Sequence, residues 1–202
     1  MRRLAPLALL LLLSACQFKR QEAPAIYAPW EEGTTLGYEN PSLPTFEARR
    51  ESRYQVHVVE GLMDPTRAGL IKLTRSSLQV APVPEFLRVE SGGIEHLKED
   101  GTHLDWMLPK GFPDQVSQWW DSDRNLDIRV IGPAAWDNPA RIRGPFDPIG
   151  VWIEINGPDL RQRALLLRGL GQVELLAWRD GAWVTVSRLV DAGKTDDRFT
   201  GK

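Results

Sequence analysis

The chain has 202 residues, with 25 Lys plus Arg against 27 Asp plus Glu and a net charge of −2. That balance lacks the basic excess by which nucleic-acid partners are usually recognised. Its single cysteine, Cys16, excludes internal disulfides and thiolate metal clusters from the folded part.

In chain order, Arg2 and Arg3 precede an apolar run from Leu4 to Leu13, broken only by Pro6 and followed by Ser14 and Ala15. Ten helical residues span roughly 15 Å, about half a hydrocarbon core, so the run is too short to cross a bilayer. A basic start, a short apolar stretch and small residues describe a secretory signal over residues 1–15. Leu13-Ser14-Ala15-Cys16 resembles the bacterial lipobox at every motif position, over the first sixteen residues only. The resemblance implies cleavage between Ala15 and Cys16, a diacylglycerol on the thiol and an acylated (for example palmitoylated) amine. Acyl methylenes bury at about 0.8 kcal/mol each, so two or three chains anchor permanently. Lipoproteins retained at the inner membrane usually carry aspartate after the cysteine. Gln17 therefore implies the outer membrane in a two-membrane cell, and otherwise the outer face of the cytoplasmic membrane. Removing residues 1–15, with two arginines, leaves 187 residues and a net charge of −4.

Residues 16–50 read as an extended tether, with Pro24, Pro29, Pro41 and Pro44 and no regular periodicity. Ile26, Tyr27, Trp30, Leu36, Tyr38 and Phe46 punctuate it. Docking of these side chains on the protein's own domain is favoured over binding of a partner, because exposed aromatics are a liability.

Residues 51–192 read as a mainly β domain, an antiparallel sandwich-like fold with one or two short helices. Strands are expected at Tyr54–Glu60, Leu70–Thr74, Ser77–Ala81, Phe86–Glu90, Leu126–Ile131 and Gly150–Ile155. A short helix is expected over Pro113–Trp120, with proline in its first turn. Asp159–Leu167 fits either a capped helix or a buried strand. A split near residues 109–125 into two β units is the alternative, and 193–202 form a polar tail.

Two Asp-Gly pairs mark hairpins. Around Asp180-Gly181, Trp178 should face Trp183, Ala177 Val184, Leu176 Thr185, Leu175 Val186 and Glu174 Ser187. Val173, Leu175, Ala177, Val184 and Val186 then make the core face. Around Asp100-Gly101, Leu97 should face Leu104, and Glu95 should face Trp106 on the core side. His96, Lys98, His103 and Asp105 then lie in water.

Four groups are candidates for chemistry. His96 and Asp105, with His103 nearby, form a cross-strand pair that lacks further metal ligands. Asp121, Asp123, Asn125 and Asp127 alternate as calcium-loop ligands do, but Leu126 and Gly132 replace the expected turn glycine and bidentate glutamate. Calcium is the one cofactor this pattern suggests. The proline-rich stretch 132–148 carries Trp136, Arg141 and Arg143, which suit a carbohydrate or an acidic partner. The alternative is a loop whose Trp and Phe plug the core. Finally, Trp178 and Trp183 form either a structural clasp or an exposed platform.

No nucleophile elbow, zinc-protease motif, P-loop or dinucleotide fingerprint is present. The leading expectation is a lipid-anchored, non-enzymatic envelope protein that binds a protein partner or supports an assembly. The alternatives are a carbohydrate-binding module using exposed tryptophans and a carboxylate- or histidine-dependent hydrolase. The fate of the tryptophans separates them: buried, exposed as a platform, or lining a cleft.

Overall fold

The computed structural model describes residues 27–64, 67–90, 93–122, 124–137, 142 and 148–194, with Asp105 and Trp106 described by their backbone alone. Cys16, Ala15, Asp123, Arg141 and Arg143 lie outside the described residues. Among the described residues, one helix, α1 (Phe46–Glu51), accompanies twelve strands. The first six are β1 (Thr34–Glu39), β2 (Tyr54–Glu60), β3 (Gly69–Ser77), β4 (Val83–Glu90), β5 (Gly93–Leu97) and β6 (His103–Leu108). The other six are β7 (Gln118–Asp121), β8 (Leu126–Ala135), β9 (Ile149–Asn156), β10 (Arg161–Leu167), β11 (Gly171–Arg179) and β12 (Ala182–Lys194).

All twelve belong to one antiparallel sheet, ordered β6-β5-β4-β3-β2-β1-β12-β11-β10-β9-β8-β7. The sheet folds on itself about β1 and β12, so that β1–β6 face β7–β12. Val56, Leu73 and Leu87 from the first half and Ile128, Ile153 and Leu166 from the second line one shared interior. Fully buried Leu36, Ile71, Ile94 and Leu189 continue that core. Each such side chain stabilises the fold by about 1.5–3 kcal/mol relative to exposure.

The extended segment expected up to residue 50 is part of this body from residue 27 onward. Tyr27, Leu36 and Tyr38 are buried in the core, and β1 is a central strand paired with β2 and β12. The favoured docking of its aromatics thus takes the form of β-sheet pairing. Tyr38 stacks on Tyr54 at 4.8 Å and donates to the Gln172 carbonyl at 2.8 Å. Phe46, by contrast, is exposed. Helix α1 starts at Thr45, whose side chain caps Ala48 N–H, and it buries no residue.

The helix expected over Pro113–Trp120 is absent. A turn covers 111–115, and Gln118–Asp121 is the edge strand β7. Here period two wins over the helical spacing of Val116, Trp119 and Trp120. Trp119 turns inward against Phe112 (5.9 Å, edge-on), while Trp120 turns outward. Ser77–Ala81 is likewise no separate strand: β3 ends at Ser77 and 78–82 form its turn into β4. Asp159–Leu167 resolves as strand β10 from Arg161 onward. The segment 109–117 does pass from one half to the other, but β1–β12 pairing keeps a single sheet.

The hairpin at Asp180-Gly181 has positive φ at both residues (51° and 83°), as a tight hairpin turn requires. Trp178–Trp183, Ala177–Val184 and Leu176–Thr185 pair as expected. A bulge then shifts the register, so that Leu175 faces Ser187 and Glu174 faces Arg188. Ser187, expected in solvent, is buried and shares a 2.9 Å hydrogen bond with the Tyr54 hydroxyl.

Candidate binding surface

The outward face of β7–β12 carries two rows of side chains that run across the strands. The pairing register aligns Trp120 (β7), Asp127 (β8), Asn156 (β9), Arg161 (β10), Trp178 (β11) and Trp183 (β12) as the first row. The second row is Gln118, Arg129, Glu154, Arg163, Leu176 and Thr185. The register shifts along these strands fall outside both rows, so the rows run unbroken.

Glu154 is the centre of the second row. Its side chain is 1% exposed although it points away from the core, because arginines lie over it. Arg129 reaches it at 2.6 Å, Arg163 at 2.7 Å and Arg161 at 3.8 Å. The arginines themselves remain between about a third and a half exposed. Burial pushes the Glu154 pKa up, but hydrogen bonds from Arg163, Arg129 and Asn156 outweigh it and hold the carboxyl below its usual range.

Trp178 and Trp183 pack edge-to-face, with centroids 5.2 Å apart and planes at 70°. This is the clasp geometry, worth up to about 1.5 kcal/mol beyond burial. The two rings are not coplanar, so the pair is not a flat platform. Arg161 lies over both rings at 4.9 and 5.3 Å, and Arg163 over Trp183 at 4.2 Å. The cover over this pair therefore includes arginines of β10. Trp178 keeps 39% of its surface exposed, and Trp120, four strands away, keeps 58%. At about 4.8 Å per strand, Trp120 and Trp178 lie roughly 19 Å apart. Glu174 is held by Arg188 (2.8 Å) and Thr185 (3.1 Å), and Asp127 accepts from Gln118 at 2.7 Å.

The other candidates separate. Trp136 is 4% exposed within the core, so it plugs the interior and is not a free binding ring. Asp121 faces inward, buried and bonded to Arg124 at 2.6 Å, whereas Asp127 faces outward; the alternation of the β7–β8 hairpin puts these two expected calcium ligands on opposite faces. Among the described residues, no three His, Cys, Asp or Glu side chains gather as a metal site would require. His96 does pair with Asp105 in register, and Glu95 with Trp106, but a bulge sets Leu97 opposite His103 rather than Leu104. His96 lines the interior, reversing the expected face, while His103 approaches buried Glu95 at 3.7 Å. Arg88 also bonds Glu95, so the two histidines serve opposite sides of the sheet.

Between the halves lies a cleft of about 280 Å³, edged by Tyr38, Tyr54, Arg75, Glu85, His96 and Arg124. Glu85 is the one carboxylate among its described lining residues, and Arg75 pairs with it at 3.0 Å. A carboxylate pair of the kind that hydrolyses glycosides is not assembled there.

Sequence reasoning found Trp178 and Trp183 but missed Trp120, Arg129, Glu154, Arg161 and Arg163. The available signal was their shared parity: each alternates along its strand with inward neighbours that are mostly apolar.

No family model matches the chain, and no curated protein matches it. Among solved structures, a Bacteroides fragilis protein described as exported and of YmcC-like fold is similar at 10% identity. The match covers 84% of this chain and 99% of that one, with a TM-score of 0.48. A Parabacteroides distasonis protein described as a lipoprotein matches at 9% identity over 83% and 98% of the two chains, with a TM-score of 0.45.

Proposed function

We propose that this chain is a lipid-anchored cell-envelope protein that binds an extended polysaccharide along the outer face of β7–β12 and performs no catalysis. The lipobox at Leu13–Cys16 supports the anchor, and Gln17 supports an outer-membrane location. Ten residues, 17–26, lie between the lipidated cysteine and the first described residue and reach at most about 36 Å. The domain therefore works close to the membrane surface.

The observation that carries the binding reading is the row from Trp120 to Trp183. Exposed indole rings lie toward both ends, and hydrogen-bonding side chains lie between them. Indole faces stack on the C–H faces of sugar rings, and fixed polar groups read the hydroxyls. A span of roughly 19 Å between exposed rings, at the usual strand spacing, suits a polymer of several sugar units better than a small molecule. The protein-partner reading drew on an aromatic-studded tether, and that support goes once Tyr27, Leu36 and Tyr38 belong to the core.

The test uses the mature lipoprotein in detergent, co-sedimented with polysaccharide purified from its own envelope. Wild type should co-sediment, and Trp120→Ala/Trp178→Ala should not, with its melting temperature kept within a few degrees. Failure of wild type to co-sediment, or binding indifferent to the double variant, overturns the proposal.

A further inference from the structure

We infer that the polymer is anionic, and that Arg161 is the residue that reads its charged sugar; this rests on the polysaccharide reading above. Arg188 and Glu174 pair with each other. Asp127 keeps its charge under the Gln118 hydrogen bond, but it lies two strands from Arg161, about 10 Å away at the usual spacing. Among the described residues, that leaves Arg129, Arg161 and Arg163 around one shared carboxylate, Glu154. Arg129 and Arg163 take Glu154 at 2.6 and 2.7 Å, on separate oxygens. Arg161 has the long contact, 3.8 Å, to an oxygen that Arg129 already holds.

The placement of Arg161 is specific. Its guanidinium lies over both indoles, 4.9 and 5.3 Å from their centroids, which fixes a planar fork in front of an exposed aromatic surface. Nearly half of its side chain remains open to solvent. A guanidinium already packed against two indoles loses little further freedom when it takes a carboxylate in bidentate fashion. The excess positive charge sits on a chain that is otherwise mildly acidic. A uronic-acid unit, with one carboxylate beside an apolar ring face, matches this arrangement: its carboxylate meets Arg161 and its ring meets Trp178. Asn156, cross-strand from Arg161, is placed to bond the neighbouring hydroxyl.

The experiment titrates the detergent-solubilised mature protein, by its tryptophan fluorescence, with polygalacturonate and with the fully methyl-esterified polymer of the same backbone. Polygalacturonate should bind about tenfold more tightly at low salt, with the ratio falling toward one as salt screens the pair. Arg161→Gln should bring the ratio close to one while binding of the ester persists. Arg67→Gln, the same charge change at a largely exposed ion pair in the β2–β3 connection, should leave the ratio intact. Equal binding of both polymers by wild type overturns the anionic preference and leaves the polysaccharide reading standing. An unchanged ratio in Arg161→Gln overturns the role of that residue. Binding of neither polymer overturns the uronic-acid inference, and overturns the polysaccharide reading as well only if the envelope polysaccharide also fails to co-sediment.

Discussion

Replacing Glu154 with glutamine tests whether the arginine cluster is a built feature of the fold. The side chain is 1% exposed and bridges three arginines from two neighbouring strands. Removing one partner of a fully buried ion pair costs about 3–5 kcal/mol, since the other charge is left stranded. Here the arginines are a third to a half exposed, so water recovers part of the loss, and about 1–3 kcal/mol is expected for Glu154→Gln. Guanidinium unfolding at pH 7 measures it. The pH dependence gives an independent check. Because the folded Glu154 pKa lies below its ordinary value near 4.5, its contribution is fully present above that value and is lost as pH falls through the folded pKa. The stability gap between wild type and Glu154→Gln should therefore stay level down to about pH 4.5 and close below it. A gap under about 0.5 kcal/mol at pH 7, or one that widens on acidification, would refute the reasoning.

Three further outcomes follow from the same structure. Leu36→Ala, at a wholly buried position of the central strand β1, should cost about 2–5 kcal/mol in a denaturant series, where a tether residue would cost almost nothing. Ser187→Ala should cost about 1 kcal/mol, and that cost should shrink in a Tyr54→Phe background if the two hydroxyls share one hydrogen bond. Cys16→Ser should abolish acylation and cleavage at this position, read by intact-mass spectrometry as an uncut chain without lipid.

Strands whose register is set locally were legible from sequence. Tyr54–Glu60 was located to the residue, and the Asp180-Gly181 turn set three cross-strand pairs correctly. The bulge beside Leu175 was not legible, since no turn residue or glycine marks it, and it alone sends Ser187 inward. β1 escaped notice because Thr34–Glu39 mixes threonines, a glycine and a glutamate, and its place between β2 and β12 depends on pairing partners far along the chain. β7 was hidden by Pro113 and by adjacent tryptophans that also fit one face of a helix. The binding surface suffered most. Trp120, Arg129, Glu154 and Arg161 are separated in sequence and become neighbours only through three successive strand pairings. Trp178 and Trp183 were found because a single hairpin joins them.

The most direct test of the binding surface is oxidative footprinting of the mature protein with and without its bound polysaccharide, read residue by residue. Trp120, Trp178 and Trp183 should gain protection together, while Leu70, exposed on the opposite half-sheet, stays as reactive as before. Protection confined to Leu70 and its neighbours, or to Met107 in the cleft between the halves, would contradict the account.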